Sequence, residues 1–203
     1  MFDIPSMQQI IAWLGWGNGI GAIAGVSAVL TVIVILTPVI VGLLLHGVET
    51  LQFKVIGAFS HDLARFFVNY LTFPGVVIHE MSHLFFAVVT GAEVRDVCFF
   101  GDDDGHLGHV TTHSRGPWFV VALQYTLIAI APIIVGLALG YFLLWYIWAE
   151  PHPLWANVGL WYLLVSIINH CTMSESDIEG YFRGVWIFVI PLFLFLFILG
   201  LNA

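Results

Sequence analysis

The chain alternates long apolar runs with short polar stretches, and the period within those stretches changes along its length. Residues 1–18 mix Ile, Trp and Leu with Gln and Asn and end at a glycine-rich segment, which predicts an interfacial or re-entrant helix. From about Gly19 to Leu45 no residue is charged, so a first membrane span is expected there, with Pro38 as a tolerated kink. His46, Glu49, Lys54, His61, Asp62 and Arg65 mark a polar connection, and Phe53 to Tyr70 sets charges among aromatics at helical spacing, as in a helix lying on a membrane surface. Leu71 to Ala92 is again an apolar helix. Its signals are Thr72 as N-cap, Pro74 in the first turn and Gly91 as the stop.

The period then switches from helical to alternating. Ala92–Phe100 and Leu107–His113 alternate polar with apolar residues around the turn-rich Gly101–Gly108, which predicts a β-hairpin. A strand edge is not tolerated against lipid, so a hairpin in such a chain needs a purpose; pairing with an extended peptide would be one. Residues 116–149 carry no charge and would measure about 50 Å as one helix, with Pro132 expected to break or kink it and Gly136 and Gly140 giving a close-packing face. Leu154 to His170 and Gly184 to Gly200 complete the apolar series, with Trp155, Trp161 and Tyr162 as interface anchors. The pattern as a whole predicts an all-α polytopic membrane protein of four to five spanning helices with a small membrane-associated β-hairpin.

Composition agrees. The chain is 60% hydrophobic and 9% charged, with a mean hydropathy of +0.99, so an integral, multi-pass membrane protein is expected; the expected location is a prokaryotic cell membrane, which composition does not itself establish. A net charge of −8 argues against nucleic acid and against docking on anionic headgroups. Lys and Arg are too scarce for the positive-inside rule to orient the chain. Cys98 and Cys171 lie in different elements and read as small buried residues rather than as a disulfide or a thiolate metal site.

Within Leu71–Ala92 the only ionisable residues are His79, Glu80 and His83, in the order H-E-x-x-H. An i, i+4 spacing stacks both imidazoles on one helix face, where they can share an ion, and the adjacent carboxylate can take a proton from a metal-activated water. From Thr72 to His79 a helix rises about 10 Å, well inside a hydrocarbon core about 30 Å thick. Ionisable groups at that depth are costly and therefore functional candidates by default. A catalytic zinc keeps three protein ligands and an open position, so a third ligand is needed. Asp177, in the polar stretch Asn169–Gly180, is the leading candidate. Ser174-x-x-Asp177 is equally a helix capping box, and His170 and the hairpin histidines are the alternatives. His106, His109 and His113 form a second cluster, read either as a second metal site or as part of a solvated tip with Asp102, Asp103 and Asp104.

These residues resemble the site-2 protease family of intramembrane zinc metalloproteases. In that family an H-E-x-x-H helix is followed by a membrane-associated hairpin, and a later helix carries N-x-x-P-x-P-x-L-D-G, whose Asp is the third zinc ligand. Asn169 and Asp177 have the same eight-residue separation. The resemblance implies one catalytic Zn2+ on His79, His83 and Asp177, Glu80 as general base, and Asn169 as a group holding substrate or oxyanion; His113 and His170 stand as substrate-facing or supporting residues. It spans Leu71 to Gly180, with Thr172 and Ser174 in place of the two prolines, Ser176 in place of Leu and Ile178 in place of Gly.

The chain would then divide into residues 1–70 (interfacial segment, first span, amphipathic connector), 71–183 (metalloprotease core) and 184–203 (last span). The implied activity is hydrolysis of peptide bonds within or near transmembrane segments. The implied partners are a membrane-protein substrate and the lipid bilayer, with a second copy or a regulatory membrane protein as further partners. Rival readings are a zinc-binding subunit without proteolysis and a metal or proton carrier; the intact Glu80 argues against the first, and the lack of an inverted repeat against the second.

Overall fold

A computed structural model describes residues 6–14, 19–99 and 108–202 of the chain. The chain divides into two compact units, Met1–Pro38 with Val185–Ala203, and Val39–Gly184. The first holds α1 (Met7–Leu14), the first half of α2 (Ile20–Gly57) and α8 (Trp186–Leu201). Its small core gathers Ile10, Ile23 and Leu30 around the buried Ala22 and Val26.

The second unit contains the rest of α2, α3 (His61–Phe66) with a following π-helical turn at Phe67–Leu71, and α4 (Phe73–Thr90). It continues through β1 (Glu93–Cys98), β2 (His109–His113), α5 (Trp118–Ala149), α6 (Leu154–Asn169) and α7 (Glu175–Gly184). The stretch 71–183 lies wholly inside it. Among the described residues three helices are long and apolar enough to cross a membrane, Ile20–Gly57, Phe73–Thr90 and Trp118–Ala149, and α7 with α8 would make a fourth as one broken span. Side chains such as Val32, Ile33, Leu44, Trp148 and Ile190 are more than half exposed. Facing water, so much apolar surface would drive aggregation; facing lipid it is matched to its solvent, as in a multi-pass membrane protein.

Several expected boundaries move. The polar stretch from His46 to Lys54 is helical, because nothing in it breaks a helix, and α2 therefore runs on to Gly57 instead of ending at Leu45. The connector helix is correspondingly short, capped by Ser60, whose side chain accepts from the Leu63 N–H. Pro132 does not break α5, which is continuous from Trp118 to Ala149. The run Leu154–His170 yields a helix of only 16 residues, about 24 Å, short of the roughly 30 Å hydrocarbon core. The hairpin forms as a two-stranded antiparallel sheet pairing Glu93 with His113 and Cys98 with His109, with a register shift between Val94 and Asp96. Cys171 is buried, but Cys98 is only half-buried.

Helix α4 is held between α5 and α6. Gly75 makes the α6 contact possible: a Cβ there would run into the Ser166 carbonyl. Ser166 fills the crossing, accepting from the Gly75 N–H at 2.8 Å and donating to the Thr72 carbonyl at 2.7 Å. Thr72 occupies the N-cap position without a side-chain capping bond, since its hydroxyl turns to Phe67 and His170. At the far end Gly91, at φ 75°, closes the helix in the left-handed region.

Gly75→Ala is expected to lower stability by about 1–3 kcal/mol through overpacking, less the few tenths to about 1 kcal/mol that alanine gains over glycine in a helix. Gly159→Ala, on α6 where nothing lies within 4 Å of the added carbon, should be neutral or stabilising. Thermal unfolding of the two variants in detergent reads the difference.

Candidate metal centre

The i, i+4 spacing on α4 brings the Nε2 atoms of His79 and His83 to 3.1 Å of each other. Their outer nitrogens are both fixed by backbone carbonyls: His79 Nδ1 donates to the His170 carbonyl at 2.7 Å, and His83 Nδ1 donates to the Ile128 carbonyl at 2.8 Å. A carbonyl oxygen only accepts, so the proton of each neutral imidazole lies on Nδ1 and each Nε2 presents a lone pair. Two lone pairs facing at 3.1 Å repel unless a cation is shared between them.

Asp177 completes that donor set. Its Oδ1 lies 3.5 Å from His83 Nε2, and the ligand atoms of His79, His83 and Asp177 all fall within 4.8 Å of one another. The capping reading and the ligand reading of Asp177 turn out to use different oxygens. Oδ2 accepts from the Ser174 backbone N–H at 2.9 Å and from its hydroxyl at 2.7 Å, while Ser174 Oγ accepts from the Asp177 N–H at 3.2 Å, a reciprocal capping box. The cap therefore holds the carboxylate in place while Oδ1 stays turned to the histidines.

The interruption between α6 and α7 serves two members of the group together. Were the helix continuous, the Ser174 N–H would bond the His170 carbonyl. Because the chain breaks there, the N–H is released to Asp177 and the carbonyl to His79.

Glu80, 9% exposed, sits beside the pair, and the Val110 backbone N–H donates to its carboxylate. It borders two cavities. One, of about 580 Å³, runs from His79 and His83 along β2 at His109–Thr112 to the α7 residues Glu179 and Arg183. The other, of about 490 Å³, reaches Leu43, His46 and Glu49 of α2 and the loop at Thr172–Glu175. His79, Glu80, Gly108 and Ser174 line both. The group is thus open on two sides, with a strand edge along one of them.

The other predicted residues fall differently. Asn169 lines neither cavity: it is buried, and its amide donates to Gln52 Oε1 at 2.8 Å. His170 lines the second cavity, with Nε2 2.9 Å from Thr72 Oγ1, and supports His79 through its carbonyl rather than its ring. His113, exposed at the end of β2, borders neither cavity. His109 borders the first and pairs with Asp96 at 2.7 Å; that bond holds the Asp96 carboxyl below the usual carboxylate range. His106 and the three aspartates of the turn lie outside the described residues. Among the described residues, His79, His83 and Asp177 form the one group of three or more such side chains able to hold a metal.

Gln124 has a part that sequence reasoning missed. It is 1% exposed on α5, accepts from the Arg115 N–H at 2.9 Å and donates to the Thr90 carbonyl at 3.0 Å, so it ties the chain leaving the hairpin to the end of α4. Its one sequence signal is an amide within an uncharged run.

No family model, curated protein or solved structure matches this chain.

Proposed function

We propose that this protein is an intramembrane zinc endopeptidase that hydrolyses a peptide bond within or near a membrane-spanning segment of another membrane protein. The observation that carries the reading is the convergence of His79, His83 and Asp177 beside Glu80, on an apolar helix and open to a cavity edged by a β-strand. The chemistry of the donor set suits the ion: tetrahedral zinc with ligands at about 2.0–2.2 Å separates its donor atoms by roughly 3.3 Å, close to the 3.1 Å between the histidines and the 3.5 Å from His83 to Asp177, while the set as a whole lies within 4.8 Å. Two nitrogens and one carboxylate oxygen leave the open position of a catalytic site. The resemblance to site-2 proteases points the same way.

When bound, zinc supplies a Lewis acid for the scissile carbonyl and lowers the pKa of its water to about 7. Glu80 then acts as general base, taking the proton of the attacking water and passing it to the leaving amine. The Val110 N–H orients that carboxylate. The His170 and Ile128 carbonyls hold both imidazoles with Nε2 inward, and Ser174 holds Asp177. The substrate must be unwound locally to expose a carbonyl, and the edge of β2 offers main-chain partners for such a segment. Asn169 has no part in this reading, since its amide is engaged by Gln52.

The test is elemental analysis of the detergent-purified protein together with cleavage of a panel of transmembrane substrates, before and after chelation. About one zinc per chain is expected, with cleavage that disappears on chelation and returns with added Zn2+. A protein that holds zinc yet cleaves none of the panel supports the inactive-subunit reading instead, and one that binds no zinc overturns the proposal.

A further inference from the structure

Among the described residues Pro38, Pro132 and Pro191 lie in helix interiors, and Pro132, on α5, comes four residues after Ile128. A proline has no N–H, so the carbonyl four residues earlier loses its helical partner, and the ring pushes that carbonyl away from the axis. The carbonyl so released in α5 is the Ile128 oxygen, and it accepts the His83 Nδ1–H at 2.8 Å. Pro132 itself is fully buried.

The surrounding contacts make this turn of α5 a fixed platform. Two further carbonyls on this turn, of Pro132 and Ile133, face the Cys171 thiol at 3.4 and 3.5 Å. One turn on, Gly136 lets Cys171 approach so closely that a Cβ would collide with its sulfur. Ala129 faces Gly180 of α7, the helix that carries Asp177. Pro132 therefore lies where the elements carrying His83 and Asp177 and the loop carrying Cys171 meet.

We propose that Pro132 is a positioning residue of the metal centre: by withholding a backbone N–H it leaves the Ile128 carbonyl to orient His83 with Nε2 toward the shared ion. The inference rests on the reading that His83 binds zinc. It gives a reason for a proline in the interior of a helix of 32 residues, where proline is the poorest helix former. The same logic recurs at His79, whose carbonyl partner is released by the end of α6. Both imidazoles are thus oriented by backbone acceptors that a helix interruption supplies.

Pro132→Ala restores an N–H that competes with His83 for the Ile128 carbonyl. Zn2+ affinity, measured by competition with a chromophoric chelator, is expected to fall about 10–100-fold, the usual effect of removing a partner that orients a metal-binding histidine. Thermal stability of the metal-free protein should hold or rise, because alanine is the better helix former. A residue needed only for packing would lower stability and leave affinity unchanged. Pro38→Ala, the same change in the other unit, should leave Zn2+ affinity as in the wild type.

Independently, 15N spectra of histidine-labelled, metal-free wild type should report the Nδ1–H tautomer for the His83 imidazole, and Pro132→Ala should shift that population toward Nε2–H. Wild-type Zn2+ affinity in Pro132→Ala, or an Nε2–H tautomer in the wild type, overturns the proposal. If the variant does not fold, the wild-type tautomer decides. If the wild type binds no Zn2+, the zinc reading fails, while the tautomer comparison still tests whether Pro132 orients His83.

Discussion

Replacing Glu80 with glutamine is expected to leave zinc bound and to lower the rate of peptide cleavage by about 10²–10⁴-fold, the usual range for removing a general acid–base. The amide nearly matches the carboxylate in shape and still accepts the Val110 N–H, so the local structure has little reason to change. What is lost is the ability to take a proton. Glu80 is not one of the three convergent donors, so zinc content should match the wild type. Measuring zinc and rate on the same preparation separates the outcomes: a rate within tenfold of wild type removes Glu80 from the mechanism, and a loss of zinc makes it a ligand.

The second large effect is expected at Asp177. Changing it to alanine removes Oδ1 from the donor set and Oδ2 from the cap of α7. Zinc affinity should fall by more than the roughly 10–100-fold that follows loss of an orienting partner, and stability should drop by about 1 kcal/mol from the lost cap. Ser174→Ala separates the two roles. It removes the hydroxyl that donates to Oδ2 and accepts from the Asp177 N–H, yet leaves Oδ1 facing His83. Its zinc affinity should therefore fall less than that of Asp177→Ala, at a similar cost in stability. Equal affinities in the two variants would show that Asp177 acts only as a cap.

On the proposed reading, those two roles would also account for how this chain departs from the site-2 protease pattern. Where the site-2 protease motif has prolines, this sequence has Thr172 and Ser174. The helix still breaks, but a capping box makes the break, and it uses the N–H that a proline at Ser174 would lack. The departure at Ser174 is chemically coherent with Asp177 as a ligand. At Asn169 it is not: the side chain turns to Gln52 and away from both cavities.

Much of the architecture was legible because it follows from short-range periodicity. The two alternating segments become β1 and β2, the uncharged runs become the long helices, and H-E-x-x-H stacks two imidazoles because the helix repeat requires it. Boundaries were legible only where a residue enforces them. Gly91 ends α4 as expected, whereas the charges after Leu45 do not end α2, since a charged side chain has no quarrel with helical dihedrals.

What the sequence by itself determined is therefore the set of elements and the local chemistry each carries: an apolar helix with three ionisable residues, a hairpin after it, and a carboxylate in a later polar turn. The tertiary structure alone decided who meets whom. His79 is oriented by a carbonyl 91 residues away, His83 by one 45 residues away, and Asn169 is diverted to a glutamine 117 residues away. No local period encodes those pairings. They depend on how closely α4 can approach α6 at Gly75, on which carbonyl a buried proline releases, and on where the break after α6 falls, and each of these takes effect only once the helices are packed.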